Sequence, residues 1–158
     1  MKLRFQNISA AALGLLACVV AAGCGDDRPT RVPVSGSVLI DGKPLTIGSI
    51  RFVPAEGRMS TGVLDSNGRF TLSCFDNNDG AVPGLHQVAV NGLERFSDWE
   101  VRWHAPKKYM NEETSGLTQK ISEPTDDVVI NLTWAGKRPF TEIDEGAKPK
   151  AFGGGSYK

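Results

Sequence analysis

Asp65-Ser66-Asn67-Gly68-Arg69-Phe70-Thr71-Leu72-Ser73-Cys74-Phe75 decides the fold. Asn-Gly between strand-like runs is the strongest short hairpin signal, because both residues tolerate positive φ. Val63-Leu64 leads into it, and after it polar and apolar residues alternate. Phe70, Leu72 and Cys74 then share one face of a strand. On that face Cys74 reads as a small buried apolar residue rather than a reactive thiol.

The same pattern extends in both directions. Upstream, Val34, Val38 and Ile40 stand at even spacing before the turn Asp41-Gly42-Lys43-Pro44. Ser49-Ile50-Arg51-Phe52-Val53 alternates and stops at Pro54, which cannot donate to a central ladder. Downstream, Asp76-Asn77-Asn78-Asp79-Gly80 reads as a loop. In Leu85–Val90, His86, Val88 and Val90 oppose Leu85, Gln87 and Ala89. Leu117–Ile121 suits a short strand, and Val128–Thr133 a last one with Val128, Ile130 and Leu132 on one face. Residues 92–116 form a long, weakly patterned insertion. Residues 135–158, with Pro139, Pro149 and Gly153-Gly154-Gly155, read as a flexible, disordered tail. About seven short strands without a long amphipathic helix predict an all-β fold, an antiparallel β-sandwich over residues 32–134.

The N-terminus is of another kind. Lys2 and Arg4 precede an apolar run from Ile8 to Ala22, and Ala21-Ala22-Gly23-Cys24 leads into polar Gly25-Asp26-Asp27-Arg28. That run is too short for a spanning helix and has the order of a secretory leader. The placement of Cys24 resembles the lipobox of bacterial lipoproteins, in which the thiol is acylated and becomes the mature N-terminus. The resemblance implies a signal peptide at 1–23, a tether at 24–31 and lipidation of Cys24. It further implies a place in the bacterial cell envelope, with Gly25 after the cysteine pointing to the outer membrane. Leu15-Leu16-Ala17-Cys18 is a competing site, but cleavage there would leave a hydrophobic stub. An ordinary signal peptide cut near Ala22 or Gly23, with no lipid attached, is the plain alternative.

Composition narrows the function. The chain has 18 basic and 18 acidic residues, and only Lys2 and Arg4 of these lie in the leader. The mature part therefore carries 16 basic against 18 acidic groups, a formal −2. With no basic stripe or tail, nucleic acid is not an expected partner. Past Cys24, Cys74 is the only cysteine, so no internal disulfide is expected and a hydrophobic core must hold the fold.

A second resemblance covers roughly residues 32–91. Val34-Ser35-Gly36-Ser37-Val38, Asp41-Gly42-Lys43-Pro44-Leu45 and Gly48-Ser49-Ile50-Arg51-Phe52 look like the start of carboxypeptidase-regulatory-like domains, which are transthyretin-like, Ig-like sandwiches. Asp65–Leu72 resembles their T-D-x-x-G-x-F-x-L hairpin, and Val82–Val88 their x-P-G-x-Y-x-V stretch, with His86 in place of the usual aromatic. Pro106-Lys107-Lys108-Tyr109 and Thr114-Ser115-Gly116-Leu117 are similar to segments of small bacterial lipoproteins that carry this domain. In the larger carboxypeptidases the module is the non-catalytic companion, so the resemblance implies a binding or structural role and no enzyme.

The residues themselves point to no catalytic group, metal or cofactor. His86 and His104 lie outside any metal-ligand spacing, and no nucleophile motif is present. Asp76–Gly80 superficially follows a calcium loop, but its glycine is one place early and Gln87 stands where a bidentate Glu is needed. A plain solvated turn is the alternative, with weak calcium binding left open. Binding is best sought in the 92–116 insertion, since long unpatterned stretches in compact domains tend to be functional. Trp99 and Trp103, with Tyr109 nearby, would share a face as a platform for carbohydrate or peptidoglycan, or as an anchor for an envelope protein. The alternative is that these aromatics cover the end of the core.

Overall fold

The computed structural model describes residues 28–148, and the expected signal peptide, Cys24 and residues 149–158 lie outside them. Two sheets form a sandwich. One contains β1 (Val34–Ile40), β2 (Lys43–Pro44), β5 (Arg69–Thr71) and β10 (Thr125–Leu132). The other has the order β4 (Ser60–Val63), β3 (Ser49–Pro54), β6 (Gly84–Asn91), β9 (Leu117–Ile121). Parity sets what faces inward. Val34 and Val38 of β1 and Val128, Ile130 and Leu132 of β10 meet Ile50 and Phe52 of β3 and Val88 and Val90 of β6, all buried. Each such side chain contributes about 2 kcal/mol through burial. Cys74 is buried too, as its place beside Phe70 and Leu72 predicts.

Four expectations need correction. The sandwich is not wholly antiparallel, because β1 and β10 run parallel, with Val38 opposite Ile130. The Asn67-Gly68 turn closes its hairpin through three residues, 66–68, and not through a pair of positive-φ residues: the Asp65 amide donates to the Arg69 carbonyl and the Gly68 amide to the Asp65 carbonyl, each at 2.9 Å. Only Gly68 takes positive φ, at 71°. Asp65 accepts through Oδ1 from the amides of both Asn67 and Arg69, each at 2.8 Å, which builds an Asx turn. Beyond the turn β4 and β5 take their ladder partners in different sheets, while Thr61 bridges Ser73 in antiparallel fashion at the open end of the hairpin.

The insertion and the tail hold the other two differences. Residues 92–116 are structured as β7 (Leu93–Arg95), β8 (Glu100–Trp103), a 3-10 turn (Lys107–Met110) and the short helix α1 (Glu112–Ser115). Asn111 caps α1 by accepting from the Glu113 amide at 2.7 Å. The part of the tail that is described contains β11 (Phe140–Ile143), which pairs with β8 to complete a third sheet, β11-β8-β7. With these short additions the described residues hold eleven strands, where the sequence suggests about seven.

His86 is fully buried on the inner face of β6, and its Nε2 lies 2.9 Å from the Val82 carbonyl oxygen. A carbonyl can only accept, so Nε2 carries the proton. Among the described residues, neither Nδ1 nor the buried hydroxyl of Ser60 has a hydrogen-bond partner. Ser60 lies opposite Phe52, and His86 lies opposite Pro54 on the far side of β3. Two strand spacings and two residues put them about 12 Å apart, too far to act as a pair.

Candidate functional site

Strand β1 gives the sandwich two distinct ends. At its start, Val32 bridges Ala81, and the Thr125 amide donates to the Pro33 carbonyl at 3.1 Å. Arg28, Arg31 and Arg58 surround the Phe75 ring, with guanidinium carbons 5.4, 5.1 and 5.2 Å from its centroid. Arg28 meets Asp76 and Arg31 meets Asp79, each at 3.0 Å. Asp79 also accepts from the backbone amides of Cys74 at 2.6 Å and of Phe75 and Asp76 at 3.1 Å. In the loop Asp76–Gly80 both carboxylates thus face arginines or amides. Burial raises the Asp79 pKa, but the three amides and Arg31 outweigh it and hold it below its usual 3.8.

A folded pKa below the unfolded one stabilises the domain above the unfolded value, and that stabilisation is lost as pH falls through the folded value. We expect thermal stability to drop as pH is lowered below about 4, and Asp79→Asn to shrink that drop while lowering stability at neutral pH. A melting series over pH for both proteins checks this, and an identical pH slope in the two would contradict it.

The opposite end is built where β1 and β10 finish together. Asp41, at φ 48°, accepts from the Thr133 hydroxyl at 2.8 Å and so fixes the exit of β10 toward Trp134. Trp134 is buried, and its ring meets Phe140 edge-on at 6.4 Å. Phe140 stacks on Trp103 across the β8–β11 pair at 6.4 Å and 22°. Trp103 donates from Nε1 to Glu142 at 2.9 Å, and Lys107 donates to the same carboxylate oxygen at 2.6 Å. The Lys107 ammonium lies 4.9 Å from the Trp103 centroid and 5.8 Å from that of Phe140. Hydrogen bonds from Lys107 and then Trp103, helped by the Lys107 charge, hold the Glu142 carboxyl below its usual range against the loss of water around it.

Beside these groups lies a half-open cavity of about 440 Å³ lined by Pro106, Lys107, Lys108, Trp134, Lys137 and Phe140, together with Thr133 and Ala135. Its size falls in the range of roughly 300–1,000 Å³ typical of small-molecule sites. A larger groove of about 810 Å³ runs between β4 and β5, but it is shallow and hydroxyl-lined, by Ser35, Ser49, Thr61, Thr71 and Ser73 among others. The smaller cavity is the better candidate, because its charged residues are all lysines and its Phe140 ring is exposed, whereas in the groove Arg69 stands with Asp65 and the Phe70 ring is buried.

Of the residues singled out from sequence, Trp103 and Tyr109 are buried. Tyr109 lies in the core cluster, and its hydroxyl is 3.2 Å from the Thr133 amide. Trp99 is half-buried in the bend before β8, beside Asp98 and Asp144. Trp99 and Trp103 therefore form no joint exposed platform; four residues of extended chain hold them about 13 Å apart. Trp134, Phe140, Lys137 and Glu142 were missed by the sequence reading. Phe140-Thr141-Glu142-Ile143 shows no polar–apolar alternation and all four residues are exposed, so no local signal marked them. Among the described residues, no helix is long and apolar enough to cross a membrane, and no group of three or more His, Cys, Asp or Glu could hold a metal ion. Comparison of the chain with protein-family models, characterised proteins and solved structures gives no match.

Proposed function

We propose that this chain is a lipid-anchored β-sandwich module of the bacterial cell envelope with a non-catalytic binding role. Cys24 is the acylated residue, and the outer membrane is the surface it sits on. The observation that carries the reading is the polarity of the sandwich. Cys24 precedes Arg28 by four residues, at most about 14 Å of chain, and Arg28 is already clasped to the Asp76–Phe75 end. The Trp134–Phe140 cavity lies at the other end of the seven-residue β1, about 20 Å further out. An anchor at one end and a ring-lined cavity at the other suit a protein that holds envelope proteins or polysaccharide at a fixed distance from the bilayer. The resemblance to the carboxypeptidase-regulatory-like companion domain supports a binding role over an enzymatic one.

A second reading is recognition of carbohydrate or peptidoglycan, and the exposed Phe140 ring supports seeking it at the Phe140 cavity instead of at Trp99 and Trp103. A photo-crosslinking residue placed at exposed Asn77 or exposed Lys137 tests the orientation in intact cells. Lipid adducts are expected at Asn77 and non-lipid envelope adducts at Lys137. The reverse pattern, or lipid adducts at both, would overturn it.

A further inference from the structure

We infer that the cavity between Trp134 and Phe140 is a site for a carboxylate-bearing sugar ring. The inference rests on the binding role proposed above and names the ligand class. Three lysines line the cavity and no acidic side chain does. Glu142, beside it, is occupied by Lys107 and the Trp103 indole. Lys108 lies over the Tyr109 ring at 4.5 Å, and Lys137 is exposed. Neither of these two ammonium groups has a carboxylate within ion-pair distance among the described residues.

The cavity thus offers three ammonium donors and no carboxylate, which selects an anion. Its other walls are Phe140, with 42 % of its surface exposed, the edge of Trp134, and Pro106. A sugar ring presents an apolar C–H face to such walls while its carboxylate reaches the amines. An extended acidic peptide fits less well, because Phe140 is the only lining residue that lies in a strand, so the cavity offers no run of strand edge against which a peptide backbone would pair. Lys107 is held by Glu142, so Lys108 and Lys137 carry the charge recognition and Phe140 the ring contact.

The test uses the full chain in detergent micelles and titrates it with short oligogalacturonate, with a neutral maltooligosaccharide and with poly-glutamate, by calorimetry at fixed salt. Oligogalacturonate is expected to bind at least about tenfold more tightly than either of the others. The paired change Lys108→Ala with Lys137→Ala touches exposed side chains and is expected to weaken oligogalacturonate binding about tenfold or more. Phe140→Ala is expected to weaken both sugars and leave poly-glutamate unchanged. Equal binding of the neutral sugar, tighter binding of poly-glutamate, no binding of oligogalacturonate, or unchanged binding by the double variant would each overturn the inference. None of these results would touch the anchoring and orientation, which the crosslinking pattern reads separately.

Discussion

Gly80→Ala is expected to lower the stability of the domain by about 3 kcal/mol or more. Gly80 has φ 88°, where an L side chain costs about 1 kcal/mol or more. An added Cβ would also stand on the carbonyl oxygen of Val32, a backbone atom that cannot swing aside. That oxygen accepts from the Ala81 amide at 3.0 Å, and the Val32 amide returns a bond to the Ala81 carbonyl at 2.9 Å. Relieving the collision therefore opens the bridge that fastens the tether segment to the sandwich, and overpacking of this kind costs about 1–3 kcal/mol besides the backbone strain. Urea unfolding of the two proteins reads the effect as a shift in midpoint with little change in slope. A shift below about 1 kcal/mol would show that the start of β1 is not held as described.

Phe52→Ala is expected to cost about 3–5 kcal/mol, the range for emptying a buried aromatic position. Phe52 is fully buried at the centre of β3, between Ser60 on β4 and Val88 on β6. Its ring lies 5.9 Å from both the Phe70 ring of the facing sheet and the His86 ring. It thus ties the two layers together, and no flexible side chain is at hand to refill the space. Phe52→Leu keeps most of the volume and is expected to cost roughly half as much. Equal losses for the two variants would mean that the ring contacts, rather than the filled volume, set the energy.

The sandwich was legible wherever a strand had one face inward and one outward. In β6 the inward set is His86, Val88 and Val90, and in β10 it is Val128, Ile130 and Leu132, as alternation alone indicates. The parallel pairing of β1 with β10 was not legible, because alternation fixes which face a residue takes and says nothing of strand direction or partner. Nor were β7, β8 and β11, which span three or four residues each, too few to show a period. The Asn67-Gly68 signal was right about a turn and wrong about its geometry, because the Asp65 carboxylate imposed its own pattern of bonds.

The candidate site was half legible for a related reason. The insertion drew attention to Trp103 and Tyr109, and both lie at the cavity end of the molecule, but as buried supports. The exposed ring, Phe140, and the cation Lys137 come from a stretch that composition marked as tail. They reach Pro106 and Lys107 only because β11 docks on β8. A site assembled from segments distant in the chain leaves no local spacing to read.

The account stands on acylation of Cys24, and intact-mass analysis of the protein extracted from membranes with detergent tests it most directly. The predicted species begins at Cys24 and is heavier than its peptide mass by the diacylglyceryl group and any further acyl chain. A chain that begins elsewhere, or one that begins at Cys24 with an unmodified thiol, would contradict the account.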